Sequence, residues 1–338
     1  MKAFILTAPR ISQVADVPEP IALAGQVVVE VSKAGVCGTD VEFFTGEMAY
    51  LHSDEAAYPL RLGHEWCGNV ISVGEGADKK WIGRRVVGDT MLGCGKCQRC
   101  KTNRQHVCKD RYEIGVRYGW AGALAEQLVV PEGALYELPD SLDDTIGALI
   151  EPGGNALRCV EAAGAGPGKR ILICGSGTIG LLSAQIALDY GAEVHMLGRN
   201  SETLKLALDL GVTAIAQNFD PIYGGYDAVI DATNDREIPN QAVTAVEPGG
   251  RVVFIGISAN PSQIDTRSLV LKDVTAVGIL SASPGIAKVI DLYATGRVDP
   301  RPIVAATVGL LQVNSILAGS RPDGAGPGPK IHVDPKLG

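Results

Sequence analysis

Arg170-Ile171-Leu172-Ile173-Cys174-Gly175-Ser176-Gly177-Thr178-Ile179-Gly180 is the stretch around which the rest of the chain can be organised. A short apolar run ends on G-x-G-x-x-G and passes into a helical pattern that closes near Gly191. In a strand-turn-helix each glycine has its own task. Gly175 makes the tight turn, Gly177 lets backbone approach a pyrophosphate, and Gly180 lets the helix close on the strand. With Ser176, Thr178 and Ile179 between them, these positions predict a dinucleotide-binding loop.

Downstream, apolar β-type runs alternate with helical patterns, the arrangement of a parallel sheet covered by helices. The runs 170–174, 193–197, 213–216, 227–231, 251–256 and 274–280 supply six strands, enough for a doubly wound Rossmann sheet. Ser201 is expected to N-cap one helix with Glu202 as its first-turn acid, and Gly191 and Gly211 to close two helices. The second strand runs into Met196-Leu197-Gly198-Arg199-Asn200. An acid is expected there to bind the adenosine ribose of NAD, and glycine stands in its place beside an arginine able to pair with phosphate. Gly198, Arg199 and Asn200 therefore point to NADP as the preferred cofactor, with NAD possible.

Upstream, short glycine-punctuated strands at 27–31, 67–73, 85–87, 124–130 and 135–138 predict an irregular β domain. Within it Cys94, Cys97, Cys100 and Cys108 form C-x2-C-x2-C-x7-C, a spacing that lets four thiolates close on one tetrahedral zinc. Gly93 and Gly95 permit the tight backbone such a knuckle needs. Four sulfurs leave no open position, so this zinc is structural; the spacing matches neither common ferredoxin pattern. Cys37, in Val36-Cys37-Gly38-Thr39-Asp40, and the later Gly63-His64-Glu65 combine soft, borderline and hard ligands suited to a second zinc with an exchangeable position. From Arg301 the chain returns to short apolar runs broken by Gly and Pro, which reads as a return to the first domain. The domain scheme is thus 1–153 completed by 291–338, and 154–290.

The chain has 338 residues, 46% of them apolar and 20% charged, with a net charge of −8. Without a basic run, nucleic acid and anionic membrane are excluded as partners, leaving small molecules. No apolar stretch approaches the ~20 residues a membrane span needs, and 1–10 lacks a signal-peptide layout. Half of the eight cysteines sit in one cluster, which fits metal in a reducing compartment rather than disulfides. A cytoplasmic location and a homodimer or homotetramer are expected.

In order and spacing, CGTD, GHEWCGNV, the four-cysteine lobe, Glu151-Pro152 and GSGTIG resemble the zinc-containing medium-chain dehydrogenase/reductase family over essentially the whole chain. They look closest to its polyol, threonine and glucose dehydrogenase branch, with features also similar to aminocyclitol dehydrogenases. The resemblance implies a GroES-like catalytic domain joined to the Rossmann domain, an α/β protein overall. It implies that Cys37, His64 and Glu65 bind the catalytic zinc, that Glu151 is its exchangeable fourth ligand, and that Thr39 takes the substrate's proton, with Asp40 behind them. It also places a sugar-contacting acid near Glu113. Glu42 stands where alcohol dehydrogenases carry a relay histidine, and Gly83-Arg84-Arg85-Val86 replaces the family's Gly-Asp-Arg-Val.

Hydride can leave a carbinol carbon only as its oxygen becomes alkoxide-like, and a zinc-bound alcohol ionises far more easily than one in water. Cys37, Glu65 and Glu151 would place three negative charges on a dication, which argues that Glu151 exchanges with water as substrate arrives. The function expected is NADP-preferring oxidation of a secondary alcohol of a sugar, polyol or (amino)cyclitol, with two zinc ions per chain. The alternative is a zinc-stabilised binding protein without catalysis. His195 reads as a structural histidine, Cys67, Cys159 and Cys174 as buried thiols, and Trp66 and Trp120 as packing or cleft residues.

Overall fold

The computed structural model describes residues 1–219 and 225–337; Gly338, the end of the returning segment, lies outside them. Its carboxyl-terminal half is a six-stranded parallel sheet in the order Ala214–Ala216, Glu193–Leu197, Arg170–Cys174, Tyr226–Asp231, Val246–Phe254, Thr275–Gly278. Strands covered on both faces need apolar residues at every position, and alternation then deals them to two cores. Ile171, Ile173, Val194, Met196, Ala228 and Ile230 enter one core, while Leu172, Cys174, Leu197 and Val229 enter the other. Strand order reverses between Arg170–Cys174 and Tyr226–Asp231, so a crevice opens above the glycine loop.

Two local expectations need correction. Ser201 does not cap its helix. Asn200 does, its side-chain oxygen accepting from the N–H groups of Glu202 (2.8 Å) and Thr203 (3.1 Å), because a short side chain one residue earlier reaches the free first-turn donors. The stretch 124–130 is not one strand: Gln127–Pro131 pairs with Gln26–Glu30, while Leu124 hydrogen-bonds to Leu62 and Phe4.

The first half forms a mixed sheet ordered Val304–Val308, Lys330–Val333, Gln26–Gly35, Glu65–Val73, Arg85–Gly88, Leu135–Glu137, with Gln127–Pro131 on the far end of the long strand Gln26–Gly35. The two strands from the end of the chain thus enter the sheet beside the first half, and His332 faces Gly35. A helix, Ile150–Ala163, leads from this sheet to the parallel one and carries Glu151 in its first turn. Thr275–Gly278 is an exposed edge, flanked by the exposed Val270 and Leu271 of Thr266–Leu271.

His332 is fully buried, and neither ring nitrogen has a hydrogen-bond partner among the described residues. Burial, helped by Lys330 and Lys33, pushes its pKa down to about 3. An unfolded imidazole titrates near 6.5, so below that pH the unfolded chain binds a proton that the folded chain refuses. Stability is present above pH 6.5 and falls, as pH drops toward the folded value, by up to about 1.4 kcal/mol per unit. His332→Leu should remove about 2 kcal/mol of the loss between pH 7 and 5. Urea unfolding of both proteins measures it, and equal acid sensitivity would contradict this account.

Candidate metal and cofactor sites

Cys37 leaves the long strand Gln26–Gly35 and is the N-cap of the helix Gly38–Thr45. The cap position puts the third helical residue, Asp40, back under it. Asp40 is fully buried; its Oδ2 accepts from the Cys37 N–H (2.9 Å) and its Oδ1 from the Gly63 N–H (3.3 Å), and Oδ1 lies 3.8 Å from His64 Nδ1. One carboxylate therefore clamps two loops distant in sequence. Burial pushes the Asp40 pKa up, opposed by His64 and the Cys37 N–H.

Glycine makes the approach possible. A Cβ on Gly63 would stand 2.7 Å from the Leu124 nitrogen, and its φ of +97° lies in the left-handed region. His64 then precedes, and Glu65 opens, the strand Glu65–Val73 beside Cys37. Donor atoms of Cys37, His64 and Glu65 all lie within 4.8 Å of one another, and His64 Nδ1 has no hydrogen-bond partner among the described residues. Thiolate, imidazole and carboxylate converging in this way fit a zinc ion. Thr39 sits half-buried in the first helical turn.

Glu151 is not part of that convergent set. Its Oε1 accepts from Asn155 Nδ2 (2.9 Å), one helical turn on. Burial first, then the Glu65 carboxylate, push its pKa up to about 7, against the pull of His64, the Asn155 bond and Lys330.

Lys330 is the residue that sequence reasoning missed. It lies 2% exposed, with Nζ donating to Glu65 Oε2 (2.5 Å) and to the Val36 carbonyl (2.9 Å). Burial favours the neutral amine, yet Glu65, Cys37 and Asp40 together hold its pKa above the ordinary lysine range. It supplies a positive charge to the site where Cys37, Glu65 and Glu151 crowd negative ones. The local signal was a lysine opening the apolar Ile331-His332-Val333 strand, which by itself names no partner. Lys330→Met should destabilise the metal-free protein by about 3–5 kcal/mol, since it leaves Glu65 buried and unpaired. Adding Glu65→Gln should recover much of that loss in urea unfolding, and strictly additive costs would show that the pair is not coupled.

In the four-cysteine lobe, Cys97 Sγ lies 3.6 Å from Cys100 Sγ and 3.8 Å from Cys108 Sγ, and all four sulfurs are within 4.8 Å. Thiolates about 2.3 Å from a tetrahedral zinc stand ~3.8 Å apart, whereas a disulfide needs about 2 Å, so the donor set fits a metal. Backbone N–H groups of Lys96 and Cys97 pull Cys94 down to about 6, while burial pushes Cys100 up to about 12. A Cβ on Gly93 would meet the Cys100 sulfur at 2.6 Å.

The glycine loop also fits its expected occupant. A Cβ on Gly175 would lie 2.7 Å from the Ala232 carbonyl and one on Gly180 1.8 Å from that of Gly175, while Gly177 faces open space. Ser176 Oγ bonds Thr203 Oγ1 (2.7 Å) and lies where a Cβ on Gly198 would go, 2.3 Å away. Thr178 and Ile179 begin the helix Thr178–Asp189. Arg199 is exposed and ion-paired with Asp235, and the Asn200 oxygen is engaged in capping.

Glu113 is buried; its Oε1 accepts from Arg111 Nε (2.8 Å) and Tyr50 Oη (3.2 Å). Trp66 is core, packed on Gly88, and Trp120 lines a 270 Å³ groove with Arg61, Tyr112 and Tyr118. His195 is held by Tyr226 Oη and Glu193 Oε1, both at 3.0 Å, in keeping with a structural histidine. Cys67, Cys159 and Cys174 are buried and free.

Residues 23–140 match the alcohol dehydrogenase GroES-like domain and 178–295 the zinc-binding dehydrogenase domain. The chain belongs to the zinc-containing medium-chain dehydrogenase/reductase family, an oxidoreductase built from a GroES-like and a Rossmann part. It is 32% identical to an L-threonine 3-dehydrogenase of Coxiella burnetii over 274 residues, 78% of each chain. Among solved structures it resembles a zinc-binding dehydrogenase of Sinorhizobium meliloti 1021 bound to NADP (28% identity, 99% of each chain, TM-score 0.88). It also resembles an alcohol dehydrogenase of Escherichia coli CFT073 complexed with NADH (26%, 99% of each chain, TM-score 0.89).

Proposed function

We propose that this dehydrogenase reversibly oxidises a secondary alcohol of a sugar, polyol or aminocyclitol, with NADP preferred. The observation that carries the proposal is the convergence of Cys37, His64 and Glu65, with Glu151 and Lys330 close by, in a protein that also holds an open glycine loop. Cys37, His64 and Glu65 would hold the catalytic zinc, with Glu151 as exchangeable ligand, and Cys94, Cys97, Cys100 and Cys108 the structural one. Bound zinc supplies the Lewis acidity that eases ionisation of the alcohol, and the nicotinamide accepts hydride. Thr39 Oγ1 would accept the substrate's hydroxyl proton while passing its own on to water, Asp40 keeps the Cys37 and His64 loops in register, and Lys330 holds Glu65. Backbone at 175–180 receives the pyrophosphate. Gly198 and Arg199 support the NADP preference, because the strand Glu193–Leu197 ends on no acid of its own and is followed by a guanidinium able to pair with a 2′-phosphate. A polar substrate is supported by the Glu113, Arg111 and Tyr50 cluster, although Glu113 already has internal partners.

L-threonine is itself a secondary alcohol, and the relatives that bear its name make it a second candidate. A screen of sugars, polyols, aminocyclitols and L-threonine for NADP reduction should find turnover in the first three classes, whereas turnover of threonine alone would favour the second reading. Metal analysis should give about two zinc ions per chain. Cys37→Ser should lose one of them and fall at least ~100-fold in kcat, if removing a ligand costs as much as is typical of metal sites. Full activity in Cys37→Ser would overturn the catalytic assignment, and one zinc with no turnover of any substrate in the wild type would instead favour the non-catalytic binding protein.

The free cysteines support a reducing compartment such as the cytoplasm. The exposed edge Thr275–Gly278 with Val270 and Leu271 beside it supports assembly of copies of the chain through this edge. Light scattering should then return a dimer or tetramer mass, and Val270→Asp with Leu271→Asp should shift it toward the monomer.

A further inference from the structure

The NADP reading rests on an arginine that is already engaged. Arg199 follows the strand Glu193–Leu197 and Asp235 follows Tyr226–Asp231, and these strands flank Arg170–Cys174 on its two sides. The Arg199–Asp235 pair therefore joins the two loops on either side of the glycine loop, at the carboxyl ends of the strands where a dinucleotide lies. We infer that Asp235 is a specificity-determining residue, competing with the 2′-phosphate of NADP for the guanidinium of Arg199. This inference rests on the NADP reading above.

The two partners are unequally held. Asp235 Oδ1 accepts from the Glu237 N–H (2.9 Å), and the Asp235 N–H donates to Thr233 Oγ1 (3.3 Å), which itself donates to Asp231 Oδ1 (2.7 Å). The carboxylate is thus held from behind, with Oδ2 directed at Arg199. The Arg199 side chain is 83% exposed, against 23% for Asp235, so little packing holds it in place. Gly198 offers no acid of its own, since Ser176 fills the space where its Cβ would stand.

A 2′-phosphate arriving here meets an attractive guanidinium and, beside it, a fixed carboxylate of its own sign. It takes Arg199 only by displacing Asp235, and it stays close to the charge it displaced. A ribose 2′-hydroxyl carries no charge and can donate to the carboxylate. Asp235 thus lowers the advantage of NADP over NAD that Arg199 confers, and keeps both cofactors within reach of one site.

The test is calorimetric titration of the full-length, zinc-loaded protein with 2′,5′-ADP and with 5′-AMP, neither of which requires turnover. Asp235→Asn keeps an oxygen for the Glu237 N–H and removes only the charge. It should tighten 2′,5′-ADP by about three- to tenfold at low salt, leave 5′-AMP within about twofold, and lose most of the gain in 1 M salt. Arg199→Ala should weaken 2′,5′-ADP by about tenfold or more and abolish the effect of Asp235→Asn. If Arg199→Ala weakens 2′,5′-ADP but Asp235→Asn leaves it unchanged or weaker, Asp235 does not compete and the NADP reading stands. If Arg199→Ala changes neither fragment, the NADP reading itself fails. Circular dichroism and thermal unfolding of Asp235→Asn check that the loop after Asp231 keeps its fold, and an Asp235→Ser variant, which also retains an acceptor, must repeat the gain.

Discussion

A lysine and a glutamate with almost no access to water tie the terminal strands into the GroES-like half of this dehydrogenase. Lys330 comes from a strand near the end of the chain, Glu65 from the strand opposite Gln26–Gly35, and the Val36 carbonyl that shares the ammonium leads directly into Cys37. Burying either charge alone would cost several kcal/mol, so each is tolerable only where the other is. The terminal strands are consequently locked into the first sheet, and Glu65 is fixed where its carboxylate faces Cys37 and His64. Because Glu65, Glu151, Cys37 and Asp40 concentrate negative charge in one small volume, a compensating cation belonging to the protein also limits how strongly those groups oppose one another.

Close backbone packing provides the second constraint. Around Cys37, His64 and Glu65 several segments approach until no side chain fits between them. A Cβ on Gly35 would stand 2.0 Å from Glu65 Oε2, one on Gly115 2.8 Å from the Gly63 carbonyl, and one on Gly122 2.2 Å from that of Leu62. A third tie is polar: Asp89, buried, accepts from Gln105 Nε2 in the four-cysteine lobe (2.9 Å) and from Ser283 Oγ beyond the parallel sheet (2.8 Å). The lobe is thereby coupled to both halves of the molecule. Its four sulfurs form a group separate from Cys37, His64 and Glu65.

Much of this was legible in the chain because it is written locally. C-x2-C-x2-C-x7-C and G-x-G-x-x-G each place their groups through a few residues of turn geometry, so spacing alone predicts convergence. The strands of the parallel sheet announced themselves through unbroken apolar runs, since both of their faces are covered. The partnership of Cys37 with His64 and Glu65 was suggested by ligand chemistry and strengthened by family resemblance, because spacing says little when more than twenty residues separate the groups. Helix capping was off by one residue at Asn200, where adjacent short polar side chains compete for the same N–H groups and only backbone angles choose between them.

By itself the sequence determined the layered α/β class, the glycine loop, the four-sulfur lobe and the absence of an acid after the second Rossmann strand. All of these depend on neighbours along the chain. Only the tertiary structure decided that Lys330 would neutralise Glu65, that Asp40 would clamp two loops, that Glu151 would be buried near Glu65 with an elevated pKa, and that Asp235 would engage Arg199. The physical reason is common to all four. Burial and pairing of charge depend on which distant segments the cores bring together, and a charged residue in a sequence names neither its partner nor its solvent.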